Sequence, residues 1–388
     1  MFAGLLLARA GVKVTVLEKH ADFFRDFRGD TVHPSTLDLF HQLGWLDELL
    51  EIEHSKVERI GVRIGGREWQ LADFRHLPVA APFIAMMPQW DLLDFLSRKA
   101  KLYPGFELRM GTEAVAAHAD RAGRIESVET AAGETLPARL VIAADGRRSI
   151  MRDQAELPLK SIGSPMDVYW FRIDMPEGIG AESFGALEAG KFLVLINRRT
   201  YLQCALVIPK GADEAIRAEG IQAFRARLRG VVPALDPEID KLRDFDAVKL
   251  LSVSLDRLTR WHCDGLLAIG DAAHAMSPIG GVGINVAVQD AVVAANVLAR
   301  PLACGEDPDP LLERVQQLRA RSVHKMQMLQ KFAQDRVIMP ILERNKPVTG
   351  APLAMRAIDA LGPLQRLPAR IIGLGIDRPH IESPDAYA

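Results

Sequence analysis

Three carboxylates close short apolar runs in this chain. Glu18 follows Val14-Thr15-Val16-Leu17, Asp145 follows Leu140-Val141-Ile142-Ala143-Ala144, and Asp271 follows Leu266-Leu267-Ala268-Ile269-Gly270. An acid at the carboxyl end of a buried parallel strand faces the ligand crevice of an open α/β sheet and can accept hydrogen bonds from sugar hydroxyls. Glu18 comes after a helix, a glycine and a strand, the place of an acid that holds a ribose 2′-hydroxyl. Taken alone it serves equally well as a plain strand end. Gly146 permits a tight turn after Asp145, and the competing reading there is a capped turn with Asp145 as N-cap.

The segment from Gly270 to Asn285 is the most informative. It runs Gly-Asp-Ala-Ala-His, then Pro278-Ile279-Gly280-Gly281-Val282-Gly283-Ile284-Asn285, and then a helical pattern. Glycines before a helix let bare backbone amides and the positive helix end approach an anionic ligand. His274 has no His or Cys at ligand spacing, so it reads as a packed or hydrogen-bonded loop residue, and no metal site is expected. No G-x-S-x-G elbow is present and no cysteine stands out as a nucleophile, which argues against hydrolysis.

The elements that must position these groups follow from periodicity. Met1–Ala10 reads as a helix ended by Gly11, and Val12–Glu18 as a strand, together the second half of a β-α-β unit. Helices are expected over 34–43, 89–100, 215–228, 283–298 and 311–332. Residues 62–71 read as a hairpin turning at Gly65-Gly66. Between Ser161 and Leu258 aromatic and β-branched runs at 168–171, 192–196 and 201–208 predict a second, mostly antiparallel sheet. The Leu311–Phe332 stripe is expected to pack in the core rather than form a membrane or dimer surface.

Composition bounds the function. The chain has 388 residues, 48 basic against 50 acidic, for a net charge of −2. Without a basic excess, nucleic-acid binding is not indicated, and the pairs Arg147-Arg148 and Arg198-Arg199 read as solvated surface. Three scattered cysteines without a C-x-x-C fit a reducing, cytoplasmic setting. No apolar run reaches the ~20 residues of a membrane helix. The apolar opening MFAGLLLARAG lacks the positive leader and cleavage site of a signal peptide.

These residues resemble the FAD-dependent aromatic-ring hydroxylases of the p-hydroxybenzoate hydroxylase type, single-component flavoprotein monooxygenases. Asp145 to Arg152 resembles the family's D-G-x-x-S-x-x-R segment, Gly270 to Asn285 its G-D-A-A-H…P…G-G-x-G-x-N segment, and Val14 to Glu18 its ribose-binding strand. Phe27 to Thr36 resembles a subgroup in which the arginine, here Arg28, reaches the FAD. The resemblance covers most of the chain. It implies an α/β fold: a Rossmann-like FAD-binding domain with a parallel sheet, an antiparallel substrate domain, and C-terminal helices. The expected division is 1–160 and 261–388 for FAD, with 161–260 as the substrate domain.

The resemblance also implies residue roles. Glu18 would hold the adenosine ribose, and Arg28 and Gln89 would contact FAD near its pyrophosphate and ribityl parts. Asp145 and Gly146 would serve FAD and the nicotinamide donor, and Asp271 would take a ribityl hydroxyl. Pro278 would lie beside the reactive flavin edge, with Gly281 and the amides of Gly283, Ile284 and Asn285 stabilising negative charge on the reduced ring. The implied reaction is NAD(P)H- and dioxygen-dependent hydroxylation of a small aromatic or apolar substrate, by a monomer or homodimer. No side chain is singled out as the acid or base. Tyr169, Trp170, Phe171, Phe192 and Tyr201 are candidate wall residues, of which strand alternation puts about half inward. Alternatives on the same scaffold are a halogenase, a reductase, or a non-catalytic relative. The family's first strand and G-x-G-x-x-G turn have no counterpart before the first helix, which implies either an upstream start or a truncation that impairs FAD binding.

Overall fold

The computed structural model describes residues 1–24, 31–176, 184–188, 190–198, 200–343 and 350–388. Two parallel ladders lie outside the large sheet described below. Val14–Glu18 pairs with Phe106–Met110, and Val141–Ala143 pairs with Leu266–Ala268 in the register Val141↔Leu266 and Ala143↔Ala268. The two ladders are not hydrogen-bonded to one another among the described residues.

The Phe2–Arg9 helix packs against the long helix Gly283–Cys304, and Leu5, Leu6 and Ala8 are fully buried in the shared core. With the turn before it, Gly283–Cys304 is long and apolar enough to cross a membrane by length and composition alone, although Asp290 and Arg300 keep it from being one unbroken apolar run. Yet 72% of its apolar window is buried, with Asn285, Gln289 and Asp290 turned inward. It is the central core helix, and it ends at Gly305, whose left-handed φ of 78° suits glycine.

The second sheet has seven strands in the order Lys249–Leu251, Met166–Asp174, Tyr201–Pro209, Lys191–Asn197, Phe184–Glu188, Arg59–Ile64, Arg67–Asp73. The last two are the expected hairpin, closed by Gly65 and Gly66 at φ 59° and 77°. It joins the second sheet through a parallel pairing with Phe184–Glu188. The division at residue 161 is therefore not clean, because residues 59–73 lie in the sheet assigned to 161–260.

One face of this sheet carries Tyr169, Phe171, Leu193, Cys204 and Leu206, covered by Phe224 and Leu228. The covering segment is two helices, Asp213–Ala218 and Gly220–Leu228, rather than the single helix expected. Gly220, at φ 84°, interrupts them. The other face carries Val168, Trp170, Phe192, Val194, Ala205 and Val207 and packs toward Ile279 and Ile338. Helix Asp309–Ala333 buries Leu312, Val315, Arg319, Val323 and Met326, whereas Leu318, Leu329 and Phe332 of the expected stripe are exposed. The core face is thus offset from the predicted one, because polar Arg319, Gln327 and Gln330 occupy part of it.

Candidate active site

Asp145 and Asp271 leave the carboxyl ends of adjacent parallel strands. The Ile269 amide still bonds the Ala143 carbonyl at 3.0 Å, so the two chains part only beyond that point. Gly146 turns at φ 87° with nothing within 4 Å of where a side chain would sit, so bare backbone borders open space. Asp145 is exposed and accepts from the Met151 amide at 3.3 Å. The N-cap of the short helix Ile150–Gln154 is Ser149, whose hydroxyl accepts from the Arg152 amide at 3.0 Å, so Asp145 does not cap it.

Arg147 joins the two segments. Its Nε donates to Asp271 at 3.1 Å and its Nη2 to the Met276 carbonyl at 3.1 Å. With side-chain exposures of 29% and 37%, this pair is partly buried rather than on open surface. The expectation of a solvated Arg147-Arg148 pair therefore fails at Arg147 and holds at Arg148, which is exposed. Of the other basic pair, Arg198 binds the buried Gln203 at 3.0 Å, and Arg199 lies outside the described residues. Arg152 reinforces the junction, donating from Nη1 to the carbonyls of Arg147 (3.1 Å) and Ala272 (3.4 Å).

Beyond Asp271 the chain is tied to the core helix. The Gly270 amide and His274 Nε2 both meet Asp290, at 3.0 and 2.6 Å, and Arg319 Nε meets its other oxygen at 2.7 Å. Burial alone would raise the Asp290 carboxyl, but His274 and Arg319 outweigh it and hold it below its ordinary range. His274 is a buried structural residue, in line with the sequence reading.

The glycine turn follows. Gly280 and Gly281 have φ of 76° and 63°, and a side-chain carbon on Gly281 would come within 2.6 Å of Thr31 Oγ1. Pro278 precedes them, half-buried. Gly283 opens the long helix, so the amides of Gly283, Ile284 and Asn285 have no intrahelical acceptor and point toward the crevice end. The buried side chain of Asn285 is used elsewhere. Its Oδ1 accepts from the His33 amide (3.0 Å) and Thr36 hydroxyl (2.7 Å), and its Nδ2 donates to the carbonyls of Thr31 and Gly281, both at 3.3 Å. Only its backbone is left for a ligand.

Thr31 in turn pairs with Met86, three residues before Gln89 starts the helix Gln89–Ala100. The ties thus bring Asp145, Gly146, Asp271, Pro278, Gly281, Gly283, Ile284, Asn285 and the entry to Gln89 into one neighbourhood. Glu18 ends the other ladder, where its carboxylate accepts from the His20 amide at 3.0 Å. Arg28 lies outside the described residues. Sequence reasoning missed Arg147, Thr31 and the glutamines of helix Asp309–Ala333. Only the two-residue spacing of Arg147 from Asp145 could have marked any of them.

The proposed wall residues divide by strand parity. Trp170, Phe192 and Tyr201 share the face that packs toward Ile279, with Arg172 over the Tyr201 ring at 4.1 Å. Tyr169 and Phe171 lie on the opposite face, against Phe224 at centroid distances of 5.7 and 5.8 Å, and cannot line a crevice on the first face.

Carboxylates suited to hydroxyls, helix-start amides suited to an anion and a bare glycine turn form a donor set that FAD fits. This is the architecture of a dinucleotide-binding oxidoreductase. The chain belongs to the family described as the FAD binding domain, whose model matches residues 1–330. It is 31% identical over 303 residues to 6-methylpretetramide 4-monooxygenase of Streptomyces rimosus, covering 77% of this chain and 72% of that one. It is 27% identical over 357 residues to protoasukamycin 4-monooxygenase of Streptomyces nodosus subsp. asukaensis, covering 85% and 84%. Among solved structures, P. aeruginosa PqsL in complex with 2-aminobenzoylacetate shares the fold at a TM-score of 0.75 and 19% identity, covering 88% of this chain and 94% of that one. The protein is an FAD-dependent oxidoreductase of the monooxygenase type, a class that typically draws on NAD(P)H and oxygen.

Proposed function

We propose that this protein hydroxylates an aromatic compound, either a small ring or a polycyclic one of the polyketide kind that its relatives' names describe. The observation that carries this reading is the Arg147–Asp271 junction, set beside a glycine turn whose Ile279 packs toward an apolar sheet face. FAD, reduced by NAD(P)H, would supply the oxygen-transfer chemistry when bound.

The chain's own residues bind and position. Asp271 would take a ribityl hydroxyl, held in place by Arg147. Asp145 and Gly146 would border the cofactor and the nicotinamide donor. Glu18 would hold the adenosine ribose, and Arg28 and Gln89 would contact the pyrophosphate and ribityl parts. Amides at Gly283, Ile284 and Asn285 would stabilise negative charge on the reduced ring, with Pro278 at its edge and Gly281, whose amide bonds the Pro278 carbonyl at 3.0 Å, shaping the turn. Trp170, Phe192 and Tyr201 would exclude water above it. Residues 1–160 and 261–388, less the 59–73 hairpin, would make the cofactor unit, and a cytoplasmic setting suits the three free cysteines.

The test is reconstitution of the purified protein with FAD, followed by substrate-stimulated NAD(P)H oxidation across phenols and polycyclic polyketides. Labelled dioxygen should appear in the product. A protein that takes up no FAD, or oxidises NAD(P)H without labelling any product in the panel, refutes the proposal.

A further inference from the structure

The segment from Ala275 to Pro278 is loop that runs into a 3-10 turn at Ile279, yet its main chain is held on two sides. Three buried glutamines face it from one helix and its continuation. Gln327 Nε2 donates to the carbonyls of Asp256 (2.7 Å) and Ala275 (3.1 Å). Gln330 grips Ser277 in both directions: Oε1 accepts from its amide at 3.1 Å, and Nε2 donates to its carbonyl at 2.9 Å and to that of Ile279 at 3.0 Å. Gln334 Nε2 donates to the Ser277 hydroxyl at 2.8 Å and the Ser164 hydroxyl at 3.3 Å. Steps of three and four residues keep the glutamines on one helix face. The helix widens to a π-helix at Gln334–Ile338, a feature frequent at functional sites. From the crevice side, Arg147 holds the Met276 carbonyl.

We propose that Gln330, backed by Gln334, is a positioning residue for the cofactor. It sets the height and tilt of Ser277–Ile279, and through the glycine turn it sets the aim of the Gly283–Cys304 helix start. A loop whose amides and carbonyls are satisfied by one side chain moves when that side chain is lost, because no ladder holds it instead. The cofactor part of this inference rests on the reading above that the turn faces FAD.

The experiment compares Gln330→Leu, Gln330→Glu and Gln334→Leu in the full chain. Gln317→Ala is the control, an exposed glutamine of the same helix that bonds Glu313. Hydrogen exchange across residues 275–286, measured without cofactor, should accelerate by about tenfold or more in Gln330→Leu and less in Gln334→Leu. FAD titration should show affinity weakened by about tenfold, with a shifted visible band of the bound flavin. Gln330→Glu should follow Gln330→Leu, since it turns a carboxylate onto two carbonyls. Unchanged exchange at 275–286 overturns the proposal. So does faster exchange with wild-type FAD affinity and spectrum, which would make Gln330 a strap and nothing more. If Gln330→Leu does not fold, Gln334→Leu carries the same two measurements. Failure of the wild type to take FAD refutes the functional reading, while the exchange result still decides what Gln330 does to the loop.

Discussion

His33 should make this protein sensitive to mild acid. It is fully buried at the start of the Pro34–Gln42 helix, with Nδ1 donating to the Ile372 carbonyl at 2.7 Å and its amide holding Asn285. Burial pushes its pKa down from 6.5 to about 4, with the bond to Ile372 opposing only in part. A depressed histidine binds fewer protons folded than unfolded between those two values. Its stabilising effect is therefore complete above about pH 6.5 and is lost as the pH falls toward about 4. Summing the linkage from about pH 7 to about pH 5 gives a loss of about 2 kcal/mol from this residue alone. The assay is urea unfolding at the two pH values for the wild type and for His33→Asn, which keeps a short donor but cannot titrate. Carboxylates titrate alike in both proteins, so the wild type should lose about 2 kcal/mol more than the variant on acidification. Equal losses would refute the claim that His33 is held neutral.

Three further outcomes follow from the same geometry. Gly281→Ala should cost about 2 kcal/mol in urea unfolding, because φ is 63° and the new carbon meets Thr31 Oγ1; an unchanged midpoint would contradict it. Arg319→Met strips one partner from the fully buried Asp290 and should cost about 3–5 kcal/mol by the same assay, far more than any exposed arginine. Arg147→Ala should leave stability within about 1 kcal/mol, since its pair with Asp271 is partly exposed, yet weaken FAD binding by about tenfold in a fluorescence titration. Wild-type affinity in that variant would remove Arg147 from the site.

The local elements were legible because their signals are local. The hairpin at Gly65-Gly66 and the helix from Gln89 to Ala100 follow from glycine conformation and from apolar spacing. Strand alternation divides the five aromatic candidates three to two between the faces, and the division by residue comes from the register and from the helices that cover Tyr169 and Phe171. Membership of the 59–73 hairpin in the second sheet was not legible, since it rests on pairing with a strand more than a hundred residues away. The Leu311–Phe332 stripe misled for a related reason. Polar residues that bond main chain can occupy a core face as securely as leucine does, and periodicity of apolar residues does not register them.

Beside ion pairs such as Arg147–Asp271, the site is assembled by side chains that grip backbone from a distant part of the chain. Arg147 bonds Met276, Asn285 bonds the 31–33 stretch, Gln330 bonds Ser277, and Asp290 bonds Gly270. Bonds to main chain do not depend on the side chain of the residue gripped, although Gly281 has no room for one and Ser277 also bonds Gln334 through its hydroxyl. The apolar wall is held differently, by ladder bonds between strands that are equally indifferent to side chains. The glycine turn and this sheet face meet near Ile279, and Gln334 ties Ser277 to Ser164 as well. Ladder bonds leave the face around Trp170 and Phe192 free to change side chains without moving its strands.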